Sequence, residues 1–280
     1  MLEAAEFFPH SGQDDIERIH FARRALKKAR ALARLFASSA EPAAYDVISA
    51  LDAARRTIGR ARNLDVMPDV LARLTGEVEA ATSQQVGDAI AVEREVARLA
   101  HREIDVQTLA GQLRALARSI EARDLGQTSS ASLLTIVRAT FRGARRLGRK
   151  AFDDGAAGEL HEVRGFVVDL GHQLASLEAA WPAMFLAMGA ELNKLRQLLG
   201  DHNDLAMLGE FANSRIDLAP ARMSDLAVKI ERRQARLARR AKAPFARLFT
   251  ERPGAFERRL AACLDHPKTR AKALQRVDQG

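Results

Sequence analysis

Ile19-His20-Phe21-Ala22-Arg23-Arg24-Ala25-Leu26-Lys27-Lys28-Ala29-Arg30 decides how the rest of the chain is read. At about 100° per residue, His20, Arg23, Lys27, Arg30 and Arg34 fall within roughly 80° of one another on a helix. Ala22, Leu26, Ala29, Ala33 and Phe36 take the adjacent flank and are expected to face a helical core. Like charges three and four residues apart repel, so such a stripe weakens an isolated helix unless an anion relieves it. A merely solvated face usually mixes signs. This stripe holds no acid of its own.

Outward from that helix, the pattern returns. His20-x-x-Arg23 recurs as His161-x-x-Arg164, 141 residues later, and a glycine follows 39 residues after each histidine, at Gly59 and Gly200. Arg60-Ala61-Arg62-Asn63-Leu64-Asp65-Val66 follows the first glycine and Asp201-His202-Asn203-Asp204-Leu205-Ala206-Met207 the second. Equal offsets suggest a duplicated unit, whose copies would face each other across a pseudo-two-fold axis and share an anion-holding surface. Both glycines are expected to break helices, with Asp201, Asn203 and Asp204 capping the helix after Gly200. Asn63 and Asp65 are expected to serve the first copy in the same way. A lone helical histidine is more often a hydrogen-bonding partner than a catalyst, so His20 and His161 are read as positioning or anion-contact residues.

A second basic stripe opens the second half. Arg138, Arg142, Arg145 and Arg149 are spaced four, three and four apart, within roughly 60° of one another, with Arg146 and Lys150 at their flanks. The formal net charge is +8, carried by 36 arginines and only 8 lysines. Arginine's planar fork grips phosphate oxygens bidentately and stays charged at any physiological pH. A bias in genomic base composition would also replace lysine with arginine, so the placement of the arginines tells more than their number.

Composition sets the fold class. Apolar residues are 47% of 280, much of that alanine, while proline is scarce. Nearly every segment reads as amphipathic helix: about 13–37, 43–60, 64–81, 85–123, 130–152, 157–180, 182–198, 202–213 and 221–249, with a short helix near 254–264. Gly126-Gln127-Thr128-Ser129-Ser130 offers N-caps for the helix that follows it. The lone Cys263 makes no internal disulfide, the acidic first residues do not read as a secretory signal, and no apolar run is long enough to span a membrane. A cytoplasmic, helical protein is expected. The tail 265–280 is basic.

With these motifs together, the chain resembles the CHAD domain family, a histidine-bearing all-α family. The opening stretch quoted above matches its first motif, and Leu199-Gly200-Asp201-His202-Asn203-Asp204-Leu205 its late one. The resemblance covers about residues 14–264 as a single domain, with repeats at about 14–123 and 130–264. It implies two four-helix bundles related by a pseudo-two-fold, with a basic cleft or pore between them. It further implies binding of inorganic polyphosphate and association with polyphosphate granules. The leading reading is non-enzymatic binding, with granule-associated proteins as candidate partners and no cofactor or metal expected. The residues it points to are His20, Arg23, Lys27, Lys28, Arg30 and Arg34, then His161 and Arg164 with the stripe Arg138, Arg142, Arg145 and Arg149. After Arg164 the family tends to continue with basic residues, whereas here Gly165, Val168, Asp169 and Gly171 stand. No Glu-x-Glu-x-Lys of the triphosphate tunnel domain often joined to this family occurs.

Two other classes compete with this one. A nucleic-acid binder suits the charge, but aromatic residues are only 5%, leaving little for base stacking. An enzyme in a helical bundle would need more than Glu17-x-x-His20, half of a di-iron motif, whose nearest second copy is the imperfect Asp169-x-x-His172.

Overall fold

The computed structural model describes residues 15–36, 42–57, 59–74, 76–102, 111, 114–115, 118, 129–154 and 157–265. Among the described residues, helix is the regular structure and no strand occurs. The helices are α1 (Asp15–Phe36), α2 (Pro42–Thr57), α3 (Gly59–Ala72), α4 (Ala80–Arg102), α5 (Ser130–Asp154), α6 (Ala157–Ser176), α7 (Pro182–Arg215), α8 (Pro220–Leu248) and α9 (Pro253–Leu264). A 3-10 turn, Glu178–Ala180, separates α6 from α7. The helical reading of the sequence holds at nearly every segment. Most of 103–123, where periodicity predicts that the long fourth helix continues, and the basic tail after Asp265 lie outside the described residues.

Ser129 caps α5 as the sequence predicts: its hydroxyl accepts from the Ser132 amide at 3.1 Å, satisfying a donor that the first turn leaves without a helical partner. Three other local expectations are corrected. α6 ends at Ser176, where periodicity predicts a helix to 180. The third helix occupies Gly59–Ala72 instead of 64–81, so Asn63 and Asp65 lie inside it and not at its start. The helix also runs unbroken through Gly200, and Asp201, Asn203 and Asp204 are mid-helix residues. The reason is burial. Leu192, Leu195, Leu199, His202, Leu205, Leu208 and Ala212 form a continuous buried stripe along α7. Burying each leucine is worth about 1.5–3 kcal/mol, against about 1 kcal/mol for one glycine in a helix.

The chain divides into two compact units, each drawing segments from both sequence halves. The first comprises Met1–Lys27, Ser49–Ala122 and Leu198–Arg240. Its core is built from Leu51 and Ala54 on α2, Met67, Val70 and Leu71 on α3, Val86 and Ile90 on α4, Leu208 and Phe211 on α7, and Leu226 and Ile230 on α8. Around it, Arg233 donates to Glu77 at 2.8 Å and Gln85 to the Asp217 carbonyl at 3.0 Å.

The second unit comprises Lys28–Ile48, Arg123–Gln197 and Ala241–Gly280. Here α5 packs on α6 and α9, burying Leu134, Val137, Phe141, Ala144 and Ala151 at the three-and-four spacing of one helix face. Phe141 stacks on Phe256 with ring centroids 4.0 Å apart, and Phe249 tilts beside it at 5.0 Å. Phe245 bridges Phe249 and Phe152, each at 4.9 Å. Two α5 glycines let these rings approach the helix. A Cβ on Gly143 would lie 2.6 Å from Phe166 Cε1, and one on Gly148 would overlap the Phe245 ring.

Gly148→Ala is therefore expected to destabilise the protein by about 1–3 kcal/mol through overpacking. Gly189→Ala on α7, where a Cβ meets nothing within 4 Å, should instead gain up to about 1 kcal/mol from helix propensity. Urea unfolding of the two variants checks both signs.

Candidate functional site

α5 carries the main arginine array, because burying Leu134, Val137, Phe141 and Ala144 turns the opposite face to solvent. The four arginines of the stripe do not share one fate. Arg138 donates to Glu257 of α9 at 2.9 Å. Arg145 donates through Nε to the Phe249 carbonyl at 3.0 Å, a cation placed on a carbonyl just past the end of α8. Arg142 and Arg149 are exposed and meet no carboxylate among the described residues, and the same holds for Arg146 on their flank. Lys150 pairs with Glu159.

Positive charge is crowded at this place. The Arg145 guanidinium is held below the usual arginine value, first by desolvation and then by the nearby charges of Arg149 and Arg252. Arg252 belongs to neither basic stripe of the sequence. It is the exposed N-cap residue of α9, directly before Pro253, so a helix N-terminus adds its own partial positive charge beside it. Pro253 marks a helix start in the sequence. Nothing there indicates that this start lies close to Arg145, 107 residues earlier.

The first stripe is placed differently. Arg30 Nη2 lies 3.3 Å from Asp169 Oδ1, and Arg34 Nη1 bonds Asp169 Oδ2. An acid therefore does face this stripe. It comes from α6, out of reach of any reading confined to α1, and it is one of the positions that depart from the basic pattern after Arg164. Asp169 is 2% exposed, Arg30 15% and Arg34 41%. Lys28 is exposed and Lys27 half-buried. The side chains of His20 and Arg23 lie outside those described. On α6, His161 is exposed and Arg164 half-buried.

A further arginine row lies outside both predicted stripes. Arg232, Arg236 and Arg239 on α8 repeat the four-and-three spacing of Arg138, Arg142 and Arg145. All three, with Arg240, are without a carboxylate partner among the described residues, and Arg232, Arg239 and Arg240 are exposed. The signal that could have found this row is in the sequence, in the same spacing.

Among the described residues, no group of three or more His, Cys, Asp or Glu side chains is placed to hold a metal ion. Asp169 of the imperfect Asp-x-x-His copy is taken by two arginines. No described helix is long and apolar enough to cross a membrane.

The CHAD domain family model matches residues 4–213, three-quarters of the chain. The chain belongs to the CHAD domain family. No curated protein and no solved structure matches it. The CHAD match contains the stripes of α1 and α5 and both His-x-x-Arg elements. Arg252 and the arginine row of α8 lie beyond it.

One buried titratable group sits inside the late CHAD motif. His202 is 5% exposed, and burial pushes its imidazole below the usual histidine value of 6.5. The folded state thus holds it neutral where the unfolded chain takes up a proton. Its contribution is complete above pH 6.5 and is lost as the pH falls below that value. Urea unfolding should show stability dropping below pH 6.5, by up to about 1.4 kcal/mol per pH unit from this group. His202→Gln should flatten that slope. Arg30→Ala, which leaves the buried Asp169 with one partner, is expected to cost about 3 kcal/mol in the same assay.

Proposed function

We propose that this CHAD chain binds inorganic polyphosphate and does not transform it. The observation that carries the reading is the row Arg142, Arg146 and Arg149 on α5, three guanidinium groups that no carboxylate among the described residues neutralises. An array of this kind repels itself, and a flexible chain of phosphates relieves several of its members at once. Each guanidinium offers paired donors to phosphate oxygens. The crowding of Arg145 by Arg149 and Arg252 supports the same assignment, since an anion arriving there lowers the repulsion among three charges. Membership of the CHAD family points to the same ligand.

The finer parts of the reading rest on the family resemblance: two four-helix bundles formed by duplication, a basic channel, and residence at polyphosphate granules in the cytoplasm. Within it, His161 and Arg164 on α6 and Lys27, Lys28, Arg30 and Arg34 on α1 extend the binding surface, with His20 and Arg23 completing the first motif. Neither a metal nor a cofactor has a role in such binding, which is electrostatic throughout.

The test is competition at physiological salt. Labelled long-chain polyphosphate should be displaced by unlabelled polyphosphate far more effectively than by orthophosphate or duplex DNA, and affinity should fall steeply as salt rises. Replacing Arg142 and Arg149 with glutamine should weaken binding by about tenfold for each charge-assisted hydrogen bond removed. Equal competition by DNA would make the surface a general polyanion binder. Release of orthophosphate from the bound polymer would make the protein an enzyme, against this reading.

A further inference from the structure

We propose that Asp169 is a built-in counter-anion that competes with polyphosphate for Arg30 and Arg34, and so sets how tightly this chain holds the polymer. The inference rests on the reading above for the identity of the ligand. Beyond that, it stands on the geometry of one side chain. Both carboxylate oxygens of Asp169 are engaged by α1: Oδ1 by Arg30 Nη2 at 3.3 Å, and Oδ2 by Arg34 Nη1. A phosphate group would present its oxygens to the same two guanidinium groups in the same bridging manner. The aspartate thus occupies the coordination that the ligand would otherwise take.

The exposures show which side of this arrangement a ligand can reach. Asp169 is 2% exposed, while Arg34 is 41% exposed and turns part of its side chain to solvent. A polyanion arriving from solvent meets Arg34 first and must draw it from a carboxylate whose partners are these two arginines. The α1 stripe supplies no acid of its own between Ile19 and Phe36, and the carboxylate that engages both Arg30 and Arg34 comes from α6. One helical turn beyond Asp169, Gln173 is fully buried, and neither its amide nitrogen nor its amide oxygen has a partner among the described residues. Residues four apart share a helix face, so Asp169 and Gln173 line the same side of α6. The polar lining on that side is therefore only partly satisfied by the described residues.

The consequence is a chain whose arginine complement overstates its affinity. Of its basic residues on α1, two spend part of their binding capacity on an internal acid. Neutralising that acid should return them to the ligand and add to the number of counterions released on binding.

The experiment uses the full chain and long-chain polyphosphate, titrated across a salt series, with wild type, Asp169→Asn, Arg142→Gln and the double variant. Asp169→Asn is expected to bind about tenfold tighter at low salt, the effect of one charge-assisted interaction returned to the ligand. Its salt dependence should steepen by about 0.7 in log–log slope for each additional phosphate neutralised, the figure for single-stranded nucleic acids. Arg142→Gln should weaken binding in both backgrounds, as the assigned surface requires. Equal or weaker binding by folded Asp169→Asn overturns the proposal and leaves the polyphosphate reading standing. Binding by Asp169→Asn without binding by wild type upholds the counter-anion and removes polyphosphate as the ligand of the natural chain. No binding by either protein ends both. Should Asp169→Asn fail to fold, Asp169→Ser takes its place, and if neither folds the aspartate is a structural brace and the proposal fails.

Discussion

The stack of Phe141 on Phe256, with Phe249 tilted against it, is the contact on which the second unit depends. It seats one face of α5 in the core, and glycines at 143 and 148 let rings from α6 and α8 approach the helix. Once that face is fixed, the opposite face has no freedom. Arg142, Arg146 and Arg149 must point to water because Leu134, Val137, Phe141 and Ala144 cannot. The same aromatic group holds the end of α8 where Arg145 bonds the Phe249 carbonyl, and the start of α9 where Arg252 joins the cluster. Apolar packing thus creates the electrostatic site, although the packed residues are themselves buried.

Within that frame the arginines divide into two kinds. Arg138 and Arg145 are tied to α9 and to the end of α8, and Arg30 and Arg34 to Asp169. Their charge already serves the fold. Others, Arg142, Arg146 and Arg149 among them, face solvent with no carboxylate partner among the described residues, an arrangement whose self-repulsion the proposed polyanion would offset. Half-exposed ion pairs such as Arg138–Glu257 contribute about 1 kcal/mol or less, so they would compete only weakly with the proposed ligand. The buried Asp169 differs, because a carboxylate deprived of water is costly unless paired. That difference in desolvation is what would make Asp169 an internal competitor, as proposed, where Glu257 is a readily broken surface contact.

The His-x-x-Arg duplication, the helical class, the cap at Ser129 and the α5 stripe are all legible in residue spacing. Spacing is a local property, and helix periodicity converts it directly into a face. Local signals mislead where burial outweighs them. Gly200 looks like a stop, yet the leucines on either side carry α7 through it, and the acids after it become ordinary helix residues. Asp201 instead accepts from Arg73 at 2.8 Å, a partner 128 residues away.

Residue order alone dictates that this chain is helical, that one face of α1 and one of α5 are cationic, and that the His-x-x-Arg motif occurs twice. Periodicity and charge along a single helix need nothing else. Which cations are already engaged by the protein's own acids is settled by packing in three dimensions. Asp169 reaches Arg30 and Arg34 from 139 and 135 residues away, Glu257 reaches Arg138 from 119, and Arg252 comes beside Arg145. Electrostatic energy depends on distance in space and on loss of water, and neither is a function of separation along the chain.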